Sequence, residues 1–428
     1  MQLHERPVWG EGVAFPDIDP AHSLPERVDV AVVGGGITGM AAAHSLARRG
    51  AAVALLEARS LGWGAGARNG GMVLTGLKLD AGALAAKYGL ARARRMFAAS
   101  LAAIDAVEAL VAEERIDCDF VRHGHVVLAS KPAHAAALRH ESELLARDFG
   151  HATRFVPPGE LRAEVGSSAY HGGLLDEASA GLNPARYLAG LARAACRAGA
   201  CLFPETPALR VTRDGEAFRV ETPRGPLRAT NVLVATAGYT GAATPALRRR
   251  VVPVGSYIIA TEPLPEALAH ELVPCGRMLF DTKHFLHYFR LTPDGRMLFG
   301  GRAGFVPESP AAVRESAAIL RRDMVAVFPQ LRDARVVYAW GGTLDVTFDM
   351  MPHAGEVGGM HVALGYAGHG VAMATYLGTH LGAQLAGVPF DNPFAGLPLP
   401  GAPLGLYRGD PWFLPLAGAW YKMLDWVS

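Results

Sequence analysis

Gly34, Gly36 and Gly39 fall in the run Gly34-Gly35-Gly36-Ile37-Thr38-Gly39, directly after the apolar stretch Val28–Val33. In such a run the first glycine permits a tight turn and the second lets a pyrophosphate approach the backbone. The third lets a helix pack close on a strand. Ile37 and Thr38 open that helix, whose N-terminal amides present the positive end that attracts phosphate. A glycine-rich turn by itself is a weak signal. Glu57 strengthens it, because it ends the next apolar run about 20 residues on, where a carboxylate accepts hydrogen bonds from ribose hydroxyls. Glu57, Ala58 and Arg59 close the second strand, and a carboxylate rather than a cation at position 57 argues against a 2′-phosphate. The pattern predicts dinucleotide binding.

A second set of chemistry-bearing residues lies in Phe285–Arg302. The stretch reads as a hairpin turned by Pro293-Asp294-Gly295. Alternation places Leu286, Tyr288 and Arg290 on one face, with Phe285, His287, Phe289 and Leu291 on the other. A guanidinium fork suits planar oxygen groups, so Arg290 and Arg302 are candidates for gripping a substrate carboxylate or amide, with Tyr288 lining the same pocket. The pairs His123/His125 and His284/His287 lack a carboxylate or cysteine partner at ligand spacing, so no metal site is expected. No Ser-His-Asp set or paired catalytic carboxylates stand out.

The elements that must position these groups follow from periodicity. Val28–Val33, Ile37–Arg49 and Val53–Leu56 read as strand, helix and strand, with Gly50 closing the helix. Asp80 to about Leu145 is Ala- and Arg-rich with helical spacing, interrupted by a β-like run at His123–Ser130. Asn183 and Pro184 form an N-cap and first-turn pair for a helix Ala185–Arg197. Strand, glycine turn and helix recur near residues 30, 232 and 362. This predicts an α/β fold with a discontinuous Rossmann-like domain, residues 28–80, 165–240 and 336–400. A mixed-sheet α+β substrate domain, residues 81–164 and 241–335, is inserted into it. Residues 1–27 form an arm expected on the surface, and 401–428 an aromatic tail.

With 428 residues, half of them apolar, and a formal net charge of +1, the chain can bury a large core and offers no polyanion groove, so no nucleic-acid partner is expected. Cys118, Cys196, Cys201 and Cys275 show no framework and read as reduced structural thiols. The start lacks a secretory layout, and the sequence reads as soluble and cytoplasmic. The tail carries Trp412, Trp420 and Trp426; docking on its own domain is expected rather than membrane association, because a basic helical face is nearly absent.

The segments "VVGGGITG", "GAGARNGG", "YFRLTPDGRMLFGGR", "WGGTLDVTFDMMPHAG" and "GYAGHGVAMATYLG" resemble the D-amino-acid oxidase superfamily of FAD-dependent oxidoreductases. Within it they are similar to the branch that holds gamma-glutamylputrescine oxidoreductase and related amine oxidases. The likeness spans nearly the whole chain. It implies FAD as the cofactor, with Arg68, Asn69, Gly70 and Gly71 near the pyrophosphate and flavin ring. Gly368, His369, Gly370 and Val371 would open a helix facing the pyrimidine end of the flavin. Backbone amides there stabilise the charge of the reduced ring. One departure stands out: Gly66 and Ala67 replace the usual Ser-Gly, removing a hydroxyl. The implied reaction is dehydrogenation of a primary or secondary amine, an amino acid or an acylated polyamine, to an imine that hydrolyses to a carbonyl. Some relatives use a lysine near the flavin to speed reaction with oxygen. Lys283 precedes the hairpin, but the matching position is not lysine, so a quinone or carrier competes with oxygen as expected acceptor. The alternatives are a flavin monooxygenase using NAD(P)H and a non-catalytic flavin-binding protein.

Overall fold

The computed structural model describes residues 3–19, 21–301 and 309–427. Two eight-stranded sheets dominate it. The first runs His353–Val357, Met360–Leu364, Gly225–Val234, Arg27–Val33, Val53–Leu56, Cys201–Phe203, with Ala217–Thr222 and Arg210–Asp214 extending from Gly225–Val234. Arg27–Val33 pairs in parallel with both Gly225–Val234 and Val53–Leu56, and Val53–Leu56 with Cys201–Phe203. These central parallel strands are covered on both faces, so Val30–Val33 and Val53–Leu56 are continuously apolar and buried. Val30 and Val32 enter one core with Met40, Leu188 and Leu377, whereas Ala31 and Val33 enter another with Phe203 and Val220.

The helix Ile37–Ala47 starts at Gly36 and ends one turn before Gly50. Its closeness to the sheet depends on Gly39, where a Cβ would stand 1.9 Å from the Gly34 carbonyl oxygen. The helix Pro184–Arg197 is capped as expected: the Asn183 side chain accepts from the amides of Ala185 and Arg186, both at 3.1 Å.

The second sheet is ordered Val336–Thr347, Val251–Thr261, Met297–Gly301, His287–Leu291, Met278–Asp281, His125–Leu128, Gly173–Asp176, Arg154–Val156. It is antiparallel except where Met278–Asp281 meets His125–Leu128. Its apolar side, including Phe289 and Phe299, packs on the helix Pro310–Val327 through Leu320 and Met324.

The structure adds detail to three sequence expectations. Gly173–Asp176 and Val336–Thr347, assigned to the cofactor-domain ranges 165–240 and 336–400, pair into the second sheet. They are apolar strands at a crossing between sheets, and pattern alone does not say which sheet they join. The N-terminal arm is more than a surface wrap, because Trp9 is buried and joins the main core. The tail docks on the molecule through Tyr407 and Leu414, against Val252 and Val254. Its helix Leu414–Val427 nonetheless leaves Leu416, Trp420 and Met423 exposed. The side chain of Trp426 lies outside the described portion.

Candidate active site

The ends of the first sheet and one face of the second enclose a single continuous cavity of about 900 Å³. One end is lined by Gly34–Thr38, Glu57–Arg59, Gly62–Gly66 and Thr236. Gly34 has a φ of 111°, and a Cβ there would lie 2.6 Å from the Ala235 carbonyl oxygen. At Gly36 a Cβ would meet nothing within 4 Å, so that glycine leaves open space at the helix start. Glu57 accepts hydrogen bonds from the amides of Gly35 at 2.7 Å and Arg59 at 2.9 Å. Burial pushes its pKa up. Open space at a helix N-terminus with a carboxylate beside it fits the pyrophosphate and ribose of a dinucleotide.

The loop Gly64–Gly71 is held from several directions. Asn69 donates to the carbonyls of Ala65 at 3.1 Å and Gly66 at 3.0 Å and accepts from Gly71 N at 2.8 Å. The indole of Trp9 donates to Asn69 O, and that of Trp340 to Arg68 O, each at 2.8 Å. Arg68 donates to Gly341 O at 3.2 Å and lies over the Trp63 ring at 5.3 Å. The Gly66 departure has a steric counterpart: a Cβ there would come within 3.2 Å of the Leu188 side chain.

Tyr288 stands where the two parts of the cavity join. Its ring lies against Gly70, where an added Cβ would be 3.2 Å away, and its hydroxyl is 3.2 Å from Ser256 Oγ. Its strand partner is Gly300, where a Cβ would overlap the phenol at 2.3 Å. The first glycine of the hairpin's Gly-Gly pair is thus the space the ring occupies, whereas a Cβ at Gly301 would crowd Leu286 O and the His287 ring. Arg290 sits elsewhere: it does not line the cavity, and its Nη1 donates to the carbonyls of Gly71 at 2.8 Å and Leu182 at 3.2 Å. Burial lowers its pKa to about 10, and the guanidinium faces the Trp9 ring at 5.8 Å. It props the loop that carries Gly70. Arg302 lies outside the described residues.

Gly368, His369, Gly370 and Val371 all line the cavity, and the helix Gly370–Leu385 begins there with His369 as its N-cap. Burial, with help from the charge on Lys78, lowers the His369 pKa to about 3, so its imidazole is neutral. The preceding turn is strained, with Ala367 at a φ of 50°. Asp345 holds it: the buried carboxylate accepts from Gly365 N at 2.6 Å, and its backbone oxygen accepts from Ala367 N at 3.0 Å. Burial without a cationic partner pushes the Asp345 pKa up to about 6 despite those amides. Next along the turn, the Tyr366 hydroxyl is 2.8 Å from Thr38 Oγ1 of the first helix.

The part of the cavity beyond Tyr288 is a chamber walled by Thr75, Phe97, Leu145, Leu174 and Phe280, with Lys78, Glu141, Asp176 and Lys283 on its polar parts. Asp176 accepts from Thr75 Oγ1 at 2.7 Å and bonds His151 Nε2 at 2.8 Å. Burial works against its charge, but these bonds hold its pKa down at about 2. Lys283 pairs with the buried Asp281 at 3.3 Å. Among the described residues no cluster of three or more His, Cys, Asp or Glu side chains has metal-binding geometry. Sequence reasoning missed Lys78, Asp345, Trp9 and Trp340. Only Asp345 left a trace, as a carboxylate inside a strand that otherwise reads as buried.

The model of the FAD-dependent oxidoreductase family matches residues 29–384. A probable oxidoreductase, OrdL, of Rhizobium meliloti is 35% identical over 99% of this chain and 96% of its own length. The gamma-glutamylputrescine oxidoreductase of Escherichia coli is 31% identical over 95% of each. The crystal structure of glycine oxidase from Geobacillus kaustophilus superposes with a TM-score of 0.72 at 23% identity, over 85% of this chain and 95% of that one. The chain belongs to the family of FAD-dependent oxidoreductases. Its cofactor is FAD, and the glycine-lined end of the cavity is where the residues fit it.

Proposed function

We propose that the chain dehydrogenates a primary or secondary amine, an amino acid or an acylated polyamine, to an imine that water converts to a carbonyl compound and ammonia or a smaller amine. The observation that carries this reading is the continuity of the cavity: the dinucleotide cradle and the chamber beyond Tyr288 share one wall. Two relatives support the amine class by their names, since one acts on gamma-glutamylputrescine and the other on glycine.

FAD held by Gly34–Thr38 and Glu57 would supply a two-electron acceptor for the hydride lost from the carbon beside the amine nitrogen, and oxygen, a quinone or another carrier would take those electrons on. The chain's part is to select, orient and desolvate. A neutral amine is required, because its lone pair must be free to form the C=N bond as the C–H bond breaks. Lys78 favours that form, since a nearby cation disfavours a protonated amine, and the uncharged His369 leaves an acceptor nitrogen without adding charge. The amine's proton leaves to solvent, and water adds to the imine carbon. Tyr288 and Phe280 give the chamber flat walls that fix the substrate carbon against the cofactor end.

Turnover with a panel of amines and a dye acceptor tests this reading. Release of a carbonyl product with an equal amount of ammonia or amine supports it. Turnover that instead requires NADPH and yields a hydroxylated product would replace it with a monooxygenase.

A further inference from the structure

We propose that the C-terminal helix Leu414–Val427 and the arginines at its foot dock this protein on an anionic lipid surface. Among its described side chains the helix is seated by one side only. Leu414 is buried and packs with Phe413 and Tyr407 on Val252 and Val254, and Gly418, one turn on, is buried as well. The opposite face carries Leu416, Trp420 and Met423, which are 69%, 57% and 46% exposed, and Trp412 just before the helix is 63% exposed. Spacings of four and three put the three helical residues on one stripe. Large apolar side chains grouped this way mark a contact surface. Indoles suit the boundary between headgroups and acyl chains, because one edge is apolar and the other donates a hydrogen bond.

The charge at the foot of the stripe chooses between occupants. The segment Tyr407–Asp410 runs alongside Arg248–Val251: Arg248 pairs with Asp410 at 2.7 Å, and Tyr407 donates to Val251 O at 2.8 Å. Arg249 and Arg408 are both exposed beside it. An isologous contact with a second copy through this stripe would bring the same cations together. Lipid phosphates complement them, and each arginine near an anionic surface strengthens binding about fivefold. No helix among the described residues is long and apolar enough to cross a membrane, so the geometry is that of a helix lying in the interface.

The test uses the full-length flavoprotein and vesicles of phosphatidylcholine with and without phosphatidylglycerol. The protein is expected to co-sediment with the anionic vesicles, and less so as salt is raised. Trp412→Ala/Trp420→Ala should weaken binding at least about tenfold through lost apolar burial. Arg249→Glu/Arg408→Glu should do the same and abolish the salt dependence. Both variants should keep the flavin spectrum and turnover of a soluble amine, because none of the four residues lines the cavity. Failure to bind anionic vesicles at low salt would overturn the proposal, as would equal binding to both vesicle types or unchanged binding by the tryptophan variant. A dimer in sedimentation that the tryptophan variant converts to monomer, without vesicle binding, would assign the stripe to a second copy.

Discussion

Arg290 shows how a residue's type is easier to read than its target. A guanidinium on a hairpin beside a phenol suggests a substrate grip, yet the side chain spends its donors on Gly71 O and Leu182 O. Alternation gave the face correctly and could not give the partner, because those carbonyls come from two distant loops. Arg290→Met is expected to leave the Leu182 carbonyl without that donor, at about 1–3 kcal/mol, whereas the Gly71 carbonyl keeps the Leu182 amide at 2.9 Å. FAD affinity measured by flavin fluorescence should fall at least tenfold, and an unchanged dissociation constant would contradict the loop-prop role. Asp345 offers a pH test. Its folded pKa of about 6 lies above the roughly 3.9 of an unfolded aspartate. The folded protein therefore binds the proton more tightly, and this contribution to stability is full below about pH 4 and lost as the pH rises through 6. The loss is on the order of 2–3 kcal/mol. Asp345→Asn should remove this pH-dependent loss. Thermal midpoints of wild type and variant at pH 4.5 and 7.5 check it; the same difference at both pH values would count against the assignment.

At the scale of elements, the β-α-β unit from Arg27 to Leu56 was legible because each part has its own signal: apolar strands, a glycine turn and a helix of small residues. The Asn183 cap was equally plain, and Asn183→Ala should cost about 1 kcal/mol in a thermal or denaturant melt. The hairpin His287–Gly301 was legible in outline and in its facing pattern. The reason for its Gly300 was not, since only the structure shows the Tyr288 ring lying over that residue. Gly300→Ala should force the phenol aside, costing about 1–3 kcal/mol of stability. The amine KM should rise as the chamber wall shifts, and a variant with unaltered KM would separate Tyr288 from the substrate.

At the scale of the whole molecule, the recurrence of strand and turn near residues 30, 232 and 362 announced a discontinuous nucleotide domain, and the first sheet gathers those three strands side by side. Sheet membership at the crossings was not legible. Gly173–Asp176 and Val336–Thr347 are apolar strands whose neighbours are set by the packing of the whole second layer. The roles of Trp9 and Trp340 were hidden for the same reason, because each reaches a loop far along the chain. What the assembled molecule adds is the join between cradle and chamber, which places Tyr288 against Gly70. The central claim is that FAD held in the cradle takes electrons from an amine held in the chamber. Its most direct test is the visible spectrum of the FAD-loaded protein under anaerobic titration with acylated diamines and N-methyl amino acids. The account predicts stoichiometric bleaching of the flavin band by at least one of these amines, with no nicotinamide present. A yellow protein that none of them bleaches, but that NADPH does, would contradict it.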